Sequence, residues 1–116
     1  MKGVMSNNNF ATFVGMSILD QHSSIIQKLC ASHKVKRLYA FGSVLTDSFN
    51  TESDIDLIVD FDPMDIDQYA DNYFDLKFLL QDIFKRPIDL LEEKALKNPF
   101  FIQAISIQRK VVYEHF

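Results

Sequence analysis

The sequence has a single cysteine, Cys30, among its 116 residues. One cysteine cannot form an intramolecular disulfide or supply a cysteine-rich zinc site. Its position on an apolar helical stretch indicates a buried thiol. Positive charge is also scarce, because 12 lysines and arginines stand against 16 aspartates and glutamates. The net charge of −4 argues against a protein that holds the nucleic acid backbone electrostatically.

Long apolar runs are missing as well, and those present are shorter than a membrane span. The start of the chain has one lysine followed by polar residues, which is a poor secretory signal. We therefore expect a cytoplasmic protein with no membrane partner. The length fits one domain, and we assign residues 1–15 to a loose N-terminal arm and residues 16–116 to that domain.

Hydrophobic periodicity predicts a sheet with helices packed on it, an α/β (α+β) fold. We expect helices from Met16 to about Ser32, from Asp67 to Lys85 and from Asn98-Pro99 onward, with a short helical turn after the first strand. The predicted strands are Val35–Phe41, Asp54–Phe61, Ile88–Leu91 and Lys110–Glu114.

Gly42-Ser43 follows the first predicted strand. Glycine permits a tight turn and the close approach of a ligand to the backbone. The hydroxyl of Ser43 would lie beside the backbone N–H groups of a helix start, which favour phosphate. By itself, however, such a dipeptide more often marks an ordinary turn.

Asp54 and Asp56 begin the next predicted strand and point to the same face of it. Their carboxylates repel each other unless a cation or water lies between them, and both can reach Mg²⁺. The opposite face is apolar, which anchors the strand in the core. A polar, solvated sheet face, with Asp54 in a turn, is the alternative interpretation.

Asp89 is a candidate third carboxylate, because it lies in the short predicted strand Ile88–Leu91. If that strand neighbours the one that carries Asp56, three carboxylates can bind two metal ions for phosphoryl-type transfer. Alternatively, Asp89 and Glu92 have the spacing of a capping box at a helix start.

Gly42-Ser43, ten residues and then Asp54-Ile55-Asp56 together resemble the G-S-x10-D-x-D signature of the minimal nucleotidyltransferases, the MNT branch of the DNA polymerase beta superfamily. The likeness continues from Val35 to Glu114. It implies a mixed β-sheet, Mg²⁺ and ATP, with Gly42 and Ser43 binding the triphosphate. It also implies that Asp54, Asp56 and Asp89 bind metal and that Asp89 acts on the attacking hydroxyl.

Proteins of this length resemble the antitoxin half of HEPN–MNT toxin–antitoxin pairs, in which AMP is transferred to a tyrosine hydroxyl of the HEPN toxin. The resemblance implies a HEPN partner and no nucleic acid template. A non-catalytic binding module that neutralises its partner by covering it is the alternative function, and transfer to a small molecule is a third.

The sequence departs from the family pattern after Gly-Ser, where many relatives have a basic residue. Val44 and Asp47 stand in this stretch instead. Lys77, Lys85 and Arg86 are possible substitutes, although a solvated helix face would explain each of them.

Phenylalanine occurs 11 times, which predicts either a Phe-rich core or a contact surface. Candidates for the surface are Phe74 and Phe78, which lie off the apolar stripe of the long helix, and also Phe10, Phe13 and Phe49.

Overall fold

The computed structural model of the protein describes residues 15–115, which form four helices, four strands and two short 3₁₀ turns. The proposed N-terminal arm, with Phe10 and Phe13, lies outside the described residues apart from residue 15. In chain order the elements are α1 (residues 15–21), α2 (Ser23–Ser32), β1 (Val35–Phe41), a 3₁₀ turn (Gly42–Leu45), β2 (Ile55–Phe61), α3 (Ile66–Phe84), β3 (Ile88–Glu92), a second 3₁₀ turn (Glu93–Ala95), α4 (Pro99–Gln108) and β4 (Lys110–Glu114).

The first helical region differs from the prediction, because a turn at His22 divides it into α1 and α2. The imidazole Nδ1 of His22 donates a hydrogen bond to the carbonyl oxygen of Ile18, at 2.8 Å. In a continuous helix the backbone N–H of His22 would bond to that same carbonyl. The side chain therefore competes with the helical backbone at this position.

The four strands form one mixed sheet in the order β3-β2-β1-β4. β1 pairs antiparallel with both β2 and β4, whereas β2 and β3 are parallel. A parallel pair needs a crossover connection, and α3 provides it between β2 and β3. The predicted mixed sheet with helices packed on it is confirmed.

One face of the sheet carries the main hydrophobic core. The side chains of Ile55, Leu57, Val59 and Phe61 alternate along β2 into this core, as their spacing predicts. Leu76 and Leu80 of α3 are fully buried against them. Truncation of such a leucine to alanine typically costs about 2–5 kcal/mol, so this layer holds β2 firmly in place.

Cys30 of α2 belongs to the same core and is fully buried, as predicted. Burial raises the pKa of its thiol to about 12.

The opposite face of the sheet holds a smaller cluster, made of Tyr39, Phe41, Ile58 and Ile105. Ile105 belongs to α4, which lies across this face. The side chain of Asn98 caps α4 by accepting hydrogen bonds from the backbone N–H groups of Phe100 (2.9 Å) and Phe101 (3.2 Å). Pro99 occupies the first turn, so the helix begins where the Asn-Pro pair predicts.

Within residues 15–115 no helix combines the length and apolar character that crossing a membrane requires.

Candidate active site

The Gly42–Leu45 turn brings the chain directly against β2. Gly42 has a φ of 73°, in the left-handed region that side chains with a Cβ rarely adopt. A Cβ built on Gly42 would overlap the Oδ2 atom of Asp56. The backbone N–H and side chain hydroxyl of Thr46 both donate to the carbonyl oxygen of Ser43, at 2.9 and 3.0 Å. The turn is thus compact, and its glycine is required both by the backbone angle and by the carboxylate beside it.

Asp56 and Asp89 lie opposite each other in neighbouring strands. They are register partners in the parallel β2–β3 pair, and Phe41 is the partner of Asp56 on the β1 side. Asp54 lies just before β2 and is exposed, as is Asp89, while Asp56 is half-buried. The strand arrangement that a three-carboxylate cluster needs is therefore present.

The capping-box interpretation of Asp89 is wrong, because Asp89 lies inside β3 and no helix begins there. The hydroxyl of Tyr69 donates a hydrogen bond to the Glu92 carboxylate instead. The helix that follows β3 is capped by Asn98.

The three aspartates create an excess of negative charge. The pKa of Asp56 is raised, first by burial and then by the neighbouring charges of Asp89 and Asp54. The pKa of Tyr73 is raised by burial and by the charges of Asp89 and Glu92. Burial is the larger cause of both shifts, and the nearby carboxylates add to it because a further negative charge is disfavoured beside them.

These residues fit a magnesium ion in chemistry, because all the candidate ligands are carboxylate oxygens, and a cation would relieve the repulsion among them. They do not enclose an ion by themselves. Among residues 15–115 no three histidine, cysteine, aspartate or glutamate side chains are arranged to hold a metal ion. Magnesium commonly completes its coordination with water and substrate phosphates, so the protein would supply only part of the ligand set.

The segment between Thr46 and Asp54 is held by Arg86, a residue for which the sequence left open a phosphate contact or a solvated helix face. Nη1 of Arg86 donates hydrogen bonds to the carbonyl oxygens of Asn50 (3.1 Å) and Ser53 (2.9 Å). Its guanidinium also stacks on the ring of Phe49, 4.6 Å from the centroid. Nη1 of Arg86 is therefore engaged with this loop. No local sequence signal marks this role, since the partners lie far apart in the chain.

Phe49 lies in the core and not on a contact surface, with 6% of its area exposed. Phe74 and Phe78 are 50% and 58% exposed and stack on each other along α3, with ring centroids 6.0 Å apart. They border a concavity of about 660 Å³ between α2 and α3. That concavity is separate from the three aspartates, since none of them lines it.

Comparison with known proteins adds independent evidence. The family described as "Nucleotidyltransferase domain" matches residues 22–112. Two proteins of Methanocaldococcus jannaschii, each described as a "Putative protein adenylyltransferase", are 31% identical to the chain over 96 residues. Each alignment covers 83% of this chain and 90% of the relative.

Solved structures show the same fold. A structure described as "Structure of putative minimal nucleotidyltransferase" superposes with a TM-score of 0.69 at 24% identity, covering 82% of this chain and 93% of that chain. A toxin–antitoxin structure with AMP-PNP gives a TM-score of 0.62 at 23% identity, over 80% of this chain and 73% of that chain. The structure of a tri-AMPylated Shewanella oneidensis HEPN toxin with an MNT antitoxin superposes with a TM-score of 0.57 at 21% identity, covering 84% of this chain and 73% of that chain.

The family match spans most of the chain, and the relatives align along nearly their whole length. The mixed four-stranded sheet with helices packed on it agrees with that match. The chain therefore belongs to the nucleotidyltransferase domain family and is an enzyme with the fold of a minimal nucleotidyltransferase.

Proposed function

We propose that the protein transfers AMP from ATP to a tyrosine hydroxyl of a HEPN-family toxin and thereby acts as its antitoxin. The observation that carries this proposal is the register of β2 and β3, which pairs Asp56 with Asp89 while Gly42 lies against Asp56. Support for the nucleotide and for the partner comes from the relatives. Two of them are each described as a "Putative protein adenylyltransferase". An MNT antitoxin has been solved with an AMPylated HEPN toxin, and a toxin–antitoxin has been solved with AMP-PNP.

In this proposal Gly42 and Ser43 bind the triphosphate. The glycine lets the turn pass directly against the Asp56 carboxylate, and the Ser43 hydroxyl would donate a hydrogen bond to the phosphate oxygens.

Asp54, Asp56 and Asp89 would hold Mg²⁺, in a two-ion site, and the bound metal would neutralise charge on the phosphates. The acceptor oxygen attacks the α-phosphorus while the bond from that phosphorus to the bridging oxygen breaks, and pyrophosphate leaves. Asp89 is the more exposed carboxylate of the strand pair. We assign to it the additional role of accepting the proton of the attacking hydroxyl.

The first test is calorimetric titration of the protein with ATP in the presence and absence of Mg²⁺. The three carboxylates should repel a bare triphosphate, so we expect much weaker binding without the metal. Equal affinity in both conditions would contradict the assignment of the aspartates as metal ligands.

The second test is to incubate the protein with a HEPN-family toxin, ATP and Mg²⁺ and to weigh the toxin by mass spectrometry. We expect a gain of one or more AMP units on tyrosine. Asp56→Asn should abolish the gain, whereas Asp82→Asn should not. Asp82 is a suitable control because it is an exposed aspartate of α3 whose carboxylate lies 3.4 Å from Lys85 on the surface.

A non-catalytic covering function is the second candidate. It is favoured by the exposed Asp47 after Gly-Ser and by the engagement of Arg86 elsewhere, since both reduce the positive charge available to a triphosphate. In the same experiment it predicts full neutralisation of the toxin by Asp56→Asn at equal stoichiometry, with no mass gain in the wild type.

A further inference from the structure

Helix α4 has an unusual surface for a protein of this composition. It contains no charged residue from Pro99 to Gln108, although charged residues make up 24% of the chain. Seven of its ten residues are apolar, yet Ile105 is its only buried residue. Phe100 and Ile107 are 82% and 77% exposed. They are seven residues apart and therefore lie on one side of the helix, two turns from each other.

This apolar surface lies beside the candidate active site. Ile105 packs on the face of the sheet that also carries Asp56, and Phe101 contacts Phe41 edge-to-face, with centroids 6.0 Å apart. Phe41 is the register partner of Asp56 and immediately precedes Gly42. The same aromatic contact thus connects α4 to both the candidate phosphate turn and a candidate metal ligand.

We propose that the outward side of α4, defined by Phe100 and Ile107, is the docking surface for the acceptor protein. This inference rests on the proposed function. For transfer, the acceptor hydroxyl must come within about 3–3.5 Å of the α-phosphorus. The acceptor protein must therefore cover the surface around Gly42 and the aspartates. Helix α4 borders this surface and supplies exposed apolar residues to it.

The chemistry of the acceptor surface follows from the charges of the candidate active site. Asp54 and Asp89 are exposed, and so are Asp47 and Glu52 in the segment that leads from the Gly42–Leu45 turn to Asp54. Interface centres are depleted in charge, while their rims are polar. The acceptor should therefore present an uncharged apolar patch to α4 and basic residues to the acidic rim, with its hydroxyl between the two.

Phe74 and Phe78 offer a matched control. They form a second exposed apolar patch, but they project from α3, which packs through Leu76 and Leu80 on the other face of the sheet. An acceptor bound to this patch would lie away from the carboxylates. Substitution of each patch in turn therefore distinguishes docking at the active site from nonspecific binding by exposed apolar residues.

The experiment compares the wild type with Phe100→Ser/Ile107→Ser and with Phe74→Ser/Phe78→Ser. The probe is the HEPN-family toxin that gains AMP in the mass-spectrometric assay above. Each protein is assayed for the KM of the toxin, for kcat at saturating toxin, for Mg²⁺-ATP binding and for Tm. We expect the α4 variant to raise the KM of the toxin on the order of tenfold or more, with Mg²⁺-ATP binding, kcat and Tm unchanged. The α3 variant should leave all four quantities near the wild-type values.

An unchanged KM in the α4 variant, or a larger rise in the α3 variant, would overturn the inference. It would also be overturned if the wild type sediments as a dimer, the α4 variant sediments as a monomer and the KM does not change. In that case α4 would bind a second copy of the chain. If the wild type transfers no AMP, the proposed function fails, and the calorimetric affinity of the toxin for the same three proteins then decides whether α4 is the docking surface.

Discussion

Gly42 is the position at which one added methyl group should affect both stability and nucleotide binding. Its φ of 73° lies in the left-handed region, which costs a residue with a Cβ about 1–2 kcal/mol. For a domain near this size, each kcal/mol lowers Tm by roughly 4–8 °C. In addition, the Cβ of Gly42→Ala would overlap the Asp56 carboxylate, so either the turn or Asp56 must move. We therefore expect a loss of at least about 1–2 kcal/mol in the free energy of unfolding, together with a loss of Mg²⁺-ATP binding.

Urea unfolding measures the stability, and calorimetric titration measures the binding. Lys85→Gly is a control of opposite sign, because Lys85 also has a left-handed backbone, with φ 57°, at the end of α3. Glycine adopts this conformation without steric cost, so the control should be as stable as the wild type or more stable by about 1 kcal/mol. A Gly42→Ala variant that unfolds like the wild type and binds Mg²⁺-ATP normally would refute the argument from the backbone angle and the Asp56 contact.

Three further outcomes can be measured on the metal-free protein. Burial, Asp89 and Asp54 raise the pKa of Asp56 in the folded state, so the folded protein binds this proton more tightly than the unfolded chain. The free energy of unfolding should therefore fall as pH rises from about 4 through the raised pKa, and urea titrations of Asp56→Asn should show a smaller fall. Arg86→Lys keeps the charge but loses the planar guanidinium. It should accelerate hydrogen exchange in the loop from Thr46 to Asp54, and exchange like that of the wild type would contradict the bracing role of Arg86. The thiol of Cys30, with a pKa raised to about 12, should react with Ellman's reagent at pH 8 on the order of a thousand-fold more slowly than in urea, and equal rates would contradict its burial.

Several elements follow from local sequence alone. The bounds of β1 and β4 agree with the prediction, and those of β2, β3 and α3 agree to within one residue at each end. The alternation along β2 correctly separates the core face from the face of Asp56. The start of α4 at Asn98-Pro99 is likewise a local signal. These features could be predicted because side-chain periodicity and capping depend on residues only a few positions apart.

The register of β2 against β3 is different, because it joins residues on opposite sides of α3. Sequence reasoning left Asp89 open between a metal ligand and a helix cap, since both interpretations suited its neighbours. The pairing of Asp56 with Asp89 decided against the helix cap. The burial of Phe49 and the hydrogen bonds from Arg86 to the loop carbonyls likewise depend on residues that are distant in the chain.

The sequence by itself determined which residues form strands, which faces are apolar and that Gly42, Ser43, Asp54 and Asp56 stand in a nucleotidyltransferase pattern. Only the tertiary structure decided that Asp89 joins Asp56, that Arg86 holds the loop and that an uncharged helix borders the site. The physical reason is that strand order and side-chain contacts depend on how the whole core packs, and the residues that meet there are distant in the chain.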